Sequence, residues 1–248
     1  MKRIAVLTAG GDASGMNCAI RAIVRTAIGS GLEVCGVMRG FLGLYENDFI
    51  QLNSRSVSSI INKGGTILRT IRFPEFKNLD IQEKCLKNLK ERDVDALVVI
   101  GGDGSSRGAF SFYSNTGFPV CVIPASIDND VCCTDFTIGF DTAVNTALEA
   151  IDRIRDTATS HERIFVVEVM GREHGFLAVE VAIAAGAEIV IIPEMPIPID
   201  KVIEILQKDK EMGKVSSLII LAEGAGKAHE LAREINEKME MVLNNYFL

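Results

Sequence analysis

Short, unbroken apolar runs alternate with helix-length segments along this chain, and that alternation constrains the fold most. Ala96-Leu97-Val98-Val99-Ile100 and Val120-Cys121-Val122-Ile123 carry no polar alternation. Strands buried on both faces read this way, and such strands belong to parallel sheets covered by helices. The same reading predicts strands over 3–8, 33–38, 95–100, 163–170, 188–193 and 216–222. Between them, apolar spacing of three and four predicts helices over 15–30, 81–92, 141–157, 173–185 and 199–211. Ile20, Ile23, Val24, Ala27 and Ile28 form the inner face of the first helix; Val144, Leu148, Ile151 and Ile154 form that of the long one. The class is α/β, with mostly parallel sheets.

The turns that follow the strands carry the chemistry. Ligands in open parallel sheets bind outside the carboxyl ends of strands. Gly101-Gly102-Asp103-Gly104-Ser105 follows one apolar run, and Pro124-Ala125-Ser126-Ile127-Asp128-Asn129-Asp130 follows the next. A glycine turn offers backbone amides to phosphate oxygens. One carboxylate can hold a metal and another can take a hydroxyl proton. The bland alternatives are a helix start, with Ser105 as its cap or Asp103 beside it, and an Asx turn after Pro124. Neither explains two such turns after neighbouring strands. Together they imply phosphoryl transfer. Thr8-Ala9-Gly10-Gly11-Asp12-Ala13-Ser14-Gly15 is a third glycine-rich turn between strand and helix. It matches neither G-x-x-x-x-G-K-[ST] nor G-x-G-x-x-G, so P-loop and ordinary dinucleotide chemistry both lose support. Arg69, Arg72 and Lys77 bracket Phe73-Pro74-Glu75-Phe76. Arginine suits phosphate, although alone the segment reads as a surface loop. Arg21 and Arg25 read as a solvated helix face or as an anion site. Met170-Gly171-Arg172 and Glu223 each end a strand.

Composition narrows the partners. Net charge is 26 minus 33, or −7, which disfavours nucleic acid as the ligand. No run reaches the roughly 20 apolar residues of a membrane span. The start is too short an apolar run for a signal peptide, and the chain reads as cytoplasmic. The six cysteines are Cys18, Cys35, Cys85, Cys121, Cys132 and Cys133, with no C-x-x-C pair. They read as buried free thiols, except that Cys132-Cys133 read as an oxidisable loop pair. His161, His174 and His229 lack metal-ligand spacing.

These motifs together resemble the ATP-dependent 6-phosphofructokinase family of the bacterial type. The resemblance rests on Gly10 to Ala13 with Gly15-Met16-Asn17, Arg72 to Phe76, Gly101 to Ser105 and Ser126 to Asp130. Asp152-Arg153-Ile154-Arg155-Asp156-Thr157, Ser160-His161-Glu162-Arg163 and Val167 to Arg172 complete it, so that it covers residues 1 to about 238. It implies two similar three-layer lobes, 1–139 for ATP and 140–248 for sugar phosphate. It implies that Gly11, Arg72, Phe73, Gly102, Asp103, Gly104 and Ser105 line the ATP site. Asp103 would serve Mg²⁺, with Asp130 in support. Asp128 would be the base that takes the C1 hydroxyl proton of fructose 6-phosphate, giving the 1,6-bisphosphate. Ser126, Ile127, Asp128, Met170, Gly171, Arg172 and Glu223 would hold the sugar, with Arg163 from a neighbouring subunit of a homotetramer. Arg21, Arg25, Arg155, Gly186, Ala187, Glu188, Lys214, Val215 and Ser216 match an intersubunit ADP effector site.

Relatives that use pyrophosphate carry Asp and Lys where this chain has Gly104 and Ala125. An Asp at 104 would repel the α-phosphate, so the resemblance implies ATP. The departures are Ser126 for Thr, Ser14 for Pro, Lys77 for Arg, and Ser54 for an effector Arg, with Arg55 adjacent. After Lys238 the resemblance stops, where the family continues with a basic segment and elements that complete the ATP lobe. The expectation for such a chain is weakened sugar-phosphate contact. An impaired nucleotide-binding or subunit-associating homologue is therefore a second reading. A lipid or NAD kinase is a third, opposed by Asp128 with Asp130, Met170 to Arg172, and Arg163.

Overall fold

The computed structural model describes the backbone of residues 1–161 and 163–245, and the side chains of 1–155 and 163–240. Glu162 and residues 246–248 lie outside the described residues, as do the side chains of Asp156, Thr157, Ser160 and His161. The chain divides into two compact units, Met1–Phe140 and Asp141–Leu248.

In the first unit, β1 (Arg3–Ala9) leads into α1 (Met16–Gly29), β2 (Glu33–Val37), α2 (Gly40–Glu46) and β3 (Phe49–Leu52). Then come α3 (Leu79–Glu91), β4 (Ala96–Gly101), α4 (Asp103–Thr116), β5 (Val120–Ser126) and β6 (Ile138–Gly139). The sheet order is β3-β2-β1-β4-β5-β6. Only the β2–β3 pair is antiparallel. β1 shows why the sheet has two covered faces. Ala5, Leu7 and Ala9 point into a core with Phe41, Leu44, Cys85, Leu89 and Phe112 from α2, α3 and α4. Ile4 and Val6 point into the opposite core, with Met16, Ile20, Val24 and Ala27 from α1. Side chains alternate across a strand, so a run apolar at every position needs helices on both sides. Fully burying a large member of these cores, such as Leu7, Ile20 or Phe112, is worth about 1.5–3 kcal/mol.

In the second unit, α5 (Phe140–His161) precedes β7 (Ile164–Val169), α6 (Phe176–Ala185), β8 (Ile189–Ile191), α7 (Ile199–Glu211), β9 (Ser217–Ala222) and α8 (Ala228–Asn245). The three strands are parallel in the order β7-β9-β8. β9 is buried at every position because it is the central strand. Val202, Ile203 and Leu206 of α7 and Ile235 of α8 pack on Ile189, Ile191, Ile219 and Leu221.

Several expectations need correction. The short α2 and β3 have no counterpart in the sequence reading. The predicted helix over 173–185 begins only at Phe176, because Gly175 N donates to Glu194 Oε1 at 2.8 Å and holds a turn there. β5 is only partly buried, and Cys121 is exposed. β6 pairs only with Ala125 and Ser126, which leaves the first part of β5 without that neighbour. Cys132 and Cys133 are also exposed. Cys35 and Cys85 are buried as expected, and burial pushes their thiols up to about 11 and about 12. Among the described residues, no helix is long and apolar enough to cross a membrane.

Two glycines make opposite predictions. A Cβ at Gly43 would stand 1.6 Å from Met38 O, whereas one at Gly29 meets nothing within 4 Å. Gly43→Ala should lose about 1–3 kcal/mol by overpacking. Gly29→Ala should gain up to about 1 kcal/mol from the unfolded state. Urea midpoints of both variants check this.

Candidate functional site

Parallel register brings the glycine and carboxylate turns of the first unit to one sheet edge. Ala9 is level with Gly101, and Gly101 with Pro124. Gly10-Gly11, Gly102 to Ser105 and Ser126 to Asp130 therefore emerge side by side. The approach is close. A Cβ at Gly101 would meet Ala9 O at 2.5 Å, and one at Gly102 would stand 3.5 Å from Ser126 Cβ. Gly11 and Gly104 face open space instead, with nothing within 4 Å of an added Cβ.

Asp103 is the first residue of α4, and no side chain caps that helix. Ser105 therefore does not act as its cap; it is buried in the first turn. The first amides of a helix are free to meet an anion, and the helix dipole favours negative charge there. Asp103 accepts from Arg107 Nε one turn on, at 3.0 Å to Oδ1 and 2.8 Å to Oδ2. Donating that hydrogen bond to Asp103 raises the Arg107 pKa above its ordinary value.

Asp128 is 4% exposed, and its backbone N donates to Ser126 Oγ at 3.1 Å. Asn129 takes a left-handed φ of 54°, which asparagine tolerates better than most residues. Its Oδ1 accepts from Thr137 N at 2.9 Å, and its Nδ2 donates to Asp135 O at 3.1 Å. Thr137 Oγ1 donates to Ser126 O at 2.6 Å. The loop after β5 is thus pinned to β6 by side chains. Asp130 Oδ1 is buried without a hydrogen-bond partner.

That orphaned oxygen tests the implied Mg²⁺. Among the described residues no group of three or more His, Cys, Asp or Glu could hold a metal. Mg²⁺ usually keeps several waters and binds one or two carboxylates plus phosphate oxygens. Asp103 and Asp130 fit that pattern.

The segment carrying Arg69, Arg72 and Phe73 is tied to the same edge. Thr8 Oγ1 donates to Arg69 O at 2.9 Å, and Thr70 Oγ1 donates to Gly10 O at 2.7 Å. Asn17 Nδ2 donates to Lys63 O at 2.9 Å, and Asn17 Oδ1 accepts from Ile67 N at 2.8 Å. Buried Thr8 and Asn17 do structural work that the sequence reading missed; their only signal was a polar residue inside an apolar pattern. Arg72 is exposed and Phe73 half-buried. Arg21 donates to Val57 O at 2.6 Å, binding α1 to its neighbouring loop, and Arg25 is exposed.

In the second unit, Val169 is level with Ala222. The residues after β7 and β9 therefore adjoin, and Arg172 N donates to Glu223 Oε2 at 3.2 Å. A Cβ at Gly224 would meet Arg172 O at 2.3 Å, so this corner needs glycine. Met170, Arg172 and Arg163 are exposed.

A separate pocket of about 380 Å³ is lined by Ile154, Arg155, Phe165, Glu188, Lys214, Val215 and Ser216, among others. Glu188 accepts from Lys214 Nζ at 2.9 Å and from Leu218 N at 2.6 Å. Burial opposes its charge, but these bonds win and its pKa falls below the ordinary value. Arg155 donates to the carbonyls of Ala185 and Gly186. The pocket thus gathers Arg155, Glu188, Lys214, Val215 and Ser216 of the second unit.

Glycine turns, a free helix start and carboxylates at adjacent strand ends are the equipment of an α/β protein that handles phosphate groups. The sequence pattern of the family described as Phosphofructokinase matches residues 3–246. This chain belongs to the phosphofructokinase family. The match runs past Lys238, further than the motifs alone carried it. The ATP-dependent 6-phosphofructokinase of Halothermothrix orenii is 52% identical over 243 residues, spanning 98% of this chain and 73% of that protein. That of Aquifex aeolicus is 52% identical over 96% of this chain and 74% of its own length. Phosphofructokinase from Saccharomyces cerevisiae superposes with a TM-score of 0.89 at 36% identity, over 96% of this chain and 36% of that one. A pyrophosphate-dependent phosphofructokinase from Marinobacter aquaeolei superposes at 0.81 with 21% identity, over 97% of this chain and 66% of that one. That last likeness shows the fold alone.

The clamp on the Ser126–Asp130 loop can be tested by itself. Thr137→Val removes the donor to Ser126 O. It should cost about 1–3 kcal/mol, the penalty of an unmet buried acceptor, read as a lower urea midpoint with an unchanged slope.

Proposed function

We propose that the chain transfers the γ-phosphoryl group of ATP to the C1 hydroxyl of fructose 6-phosphate. The observation that carries this reading is buried Asp128, beside a glycine-flanked helix start and a second, orphaned carboxylate. Identity of 52% over 98% of the chain with an ATP-dependent 6-phosphofructokinase supports retained chemistry over an impaired homologue.

Each unit supplies its own residues. In the first, Gly11, Gly102, Gly104 and the opening amides of α4 accept the nucleotide phosphates, with Arg72, Phe73 and Ser105 along the same edge. Open space at Gly104 suits a nucleotide, where a carboxylate would repel it. Asp128 takes the proton from the sugar hydroxyl as its oxygen attacks the γ-phosphorus. The bond to the β–γ bridging oxygen then breaks and ADP leaves. Ser126 Oγ and Asn129 keep the Asp128 backbone in place for that proton transfer, and Ile127 borders the sugar. Asp103 and Asp130 would hold Mg²⁺, which when bound offsets the negative charge of the phosphates. In the second unit, Met170, Gly171, Arg172 and Glu223 bind sugar phosphate, with Arg163 contributing to a neighbouring copy in a homotetramer.

We further propose that the pocket at Arg155, Gly186, Ala187, Glu188, Lys214, Val215 and Ser216 accepts ADP as an effector, with Arg21 and Arg25 contributed by a neighbouring copy of the chain. The proposed location is the cytoplasm.

Purified chain with Mg-ATP should release ADP only when fructose 6-phosphate is present. Asp128→Ala should lower kcat by about 10²- to 10⁴-fold, with little change in the KM for ATP. Release of ADP that ignores the sugar, or survives in Asp128→Ala, refutes the reading.

A further inference from the structure

The turn that follows Asp130 holds a chemistry that phosphoryl transfer does not use. Cys132 and Cys133 are adjacent and exposed, and their sulfurs stand 3.5 Å apart. Consecutive side chains of an extended strand point to opposite faces. Here Cys133 is left-handed, with φ of 59°, and both thiols face the same way. The side-chain bonds of Asn129 to Asp135 and Thr137 hold the turn at its two ends.

The spacing decides what this pair can bind. Adjacent residues across a trans peptide have Cα atoms about 3.8 Å apart, short of the roughly 4.4–6.8 Å that disulfides span. A disulfide would also need the sulfurs about 1.5 Å closer, near 2.05 Å. Chelation needs no such movement. Two sulfurs 3.5 Å apart, each about 2.3 Å from a shared centre, subtend about 100° there. That angle suits a pyramidal, three-coordinate thiophilic atom. Among the described residues no third or fourth ligand completes a metal cluster. The fitting ligand is therefore one that needs only two protein sulfurs.

We propose that Cys132 and Cys133 form a dithiol site for a trivalent arsenical, and that filling it slows the neighbouring Ser126–Asp130 loop. The binding half stands on the sulfur geometry; the slowing half rests on the function proposed above. With an R–As=O reagent, two As–S bonds form and the As–O bonds break. Both thiol protons leave with that oxygen as one water, and arsenic stays trivalent with no electron transferred. The chelate ring sits two residues beyond Asp130 and four beyond Asp128. Shifting a catalytic group by about 1 Å can cost about a hundredfold in rate.

Phenylarsine oxide tests both halves on the full chain. One equivalent should add once, seen in native mass spectra as the reagent less one water, and should hide two thiols from Ellman titration. Sugar-dependent ADP release should fall by up to about a hundredfold and return with 2,3-dimercaptopropanol. Cys132→Ser and Cys133→Ser should keep parental turnover and lose both adduct and inhibition. An adduct that persists in both variants, or a parent that takes none, overturns the site. An adduct with undiminished turnover overturns the coupling to the loop. A parent that never turns over refutes the kinase reading and the coupling with it, while mass and thiol counts still decide the site.

Discussion

Parallel pairing of β1, β4 and β5 is the constraint on which the rest of the first unit depends. It levels Ala9 with Gly101 and Gly101 with Pro124, and every proposed nucleotide or catalytic residue leaves the sheet from those three ends or from the segment lashed to them. A slip by one residue would turn each strand's apolar set to the opposite face. Here both faces are buried in distinct cores, so the register is held from two sides. Gly101 makes the pairing possible at its tightest point, since any Cβ there would meet Ala9 O.

Side-chain hydrogen bonds then position what the sheet only brings near. Thr8, Asn17 and Thr70 bind the 63–70 segment to the end of β1 and to α1. Asn129 and Thr137 do the same for the loop after β5. These donors are buried or half-buried, so leaving their acceptors unmet would be expensive. Both loops should consequently keep one conformation while their exposed tips stay open to ligand.

The charges are arranged for exchange. The acidic chain, at −7 overall, still presents a helix start and an exposed arginine at the edge proposed to take phosphate. Asp103 is matched by Arg107 across one helical turn, and Arg107 is 80% exposed. Pairs that exposed are worth little, so Asp103 can trade that partner for another cation at small cost. Asp130 differs, because its buried oxygen has no partner to give up.

Much of this was legible in the residues. The α/β class, most strands, and the site turns at Gly101–Ser105 and Ser126–Asp130 follow from local pattern, since apolar period and glycine placement are local properties. What stayed hidden depended on contacts between distant residues. The exposure of Cys121 reflects how little of β5 is paired by β6. The late start of α6 reflects Glu194 holding Gly175. Arg21 bonds to Val57 O, where the sequence offered a solvated face or an anion site. The sequence by itself determined that strands buried on both faces would end in turns fit for phosphate. Only the tertiary structure decided which turns adjoin, which carboxylate keeps an unmet oxygen, and that Cys132 and Cys133 face the same way. Those outcomes follow from register and through-space packing, which no run of neighbouring residues encodes.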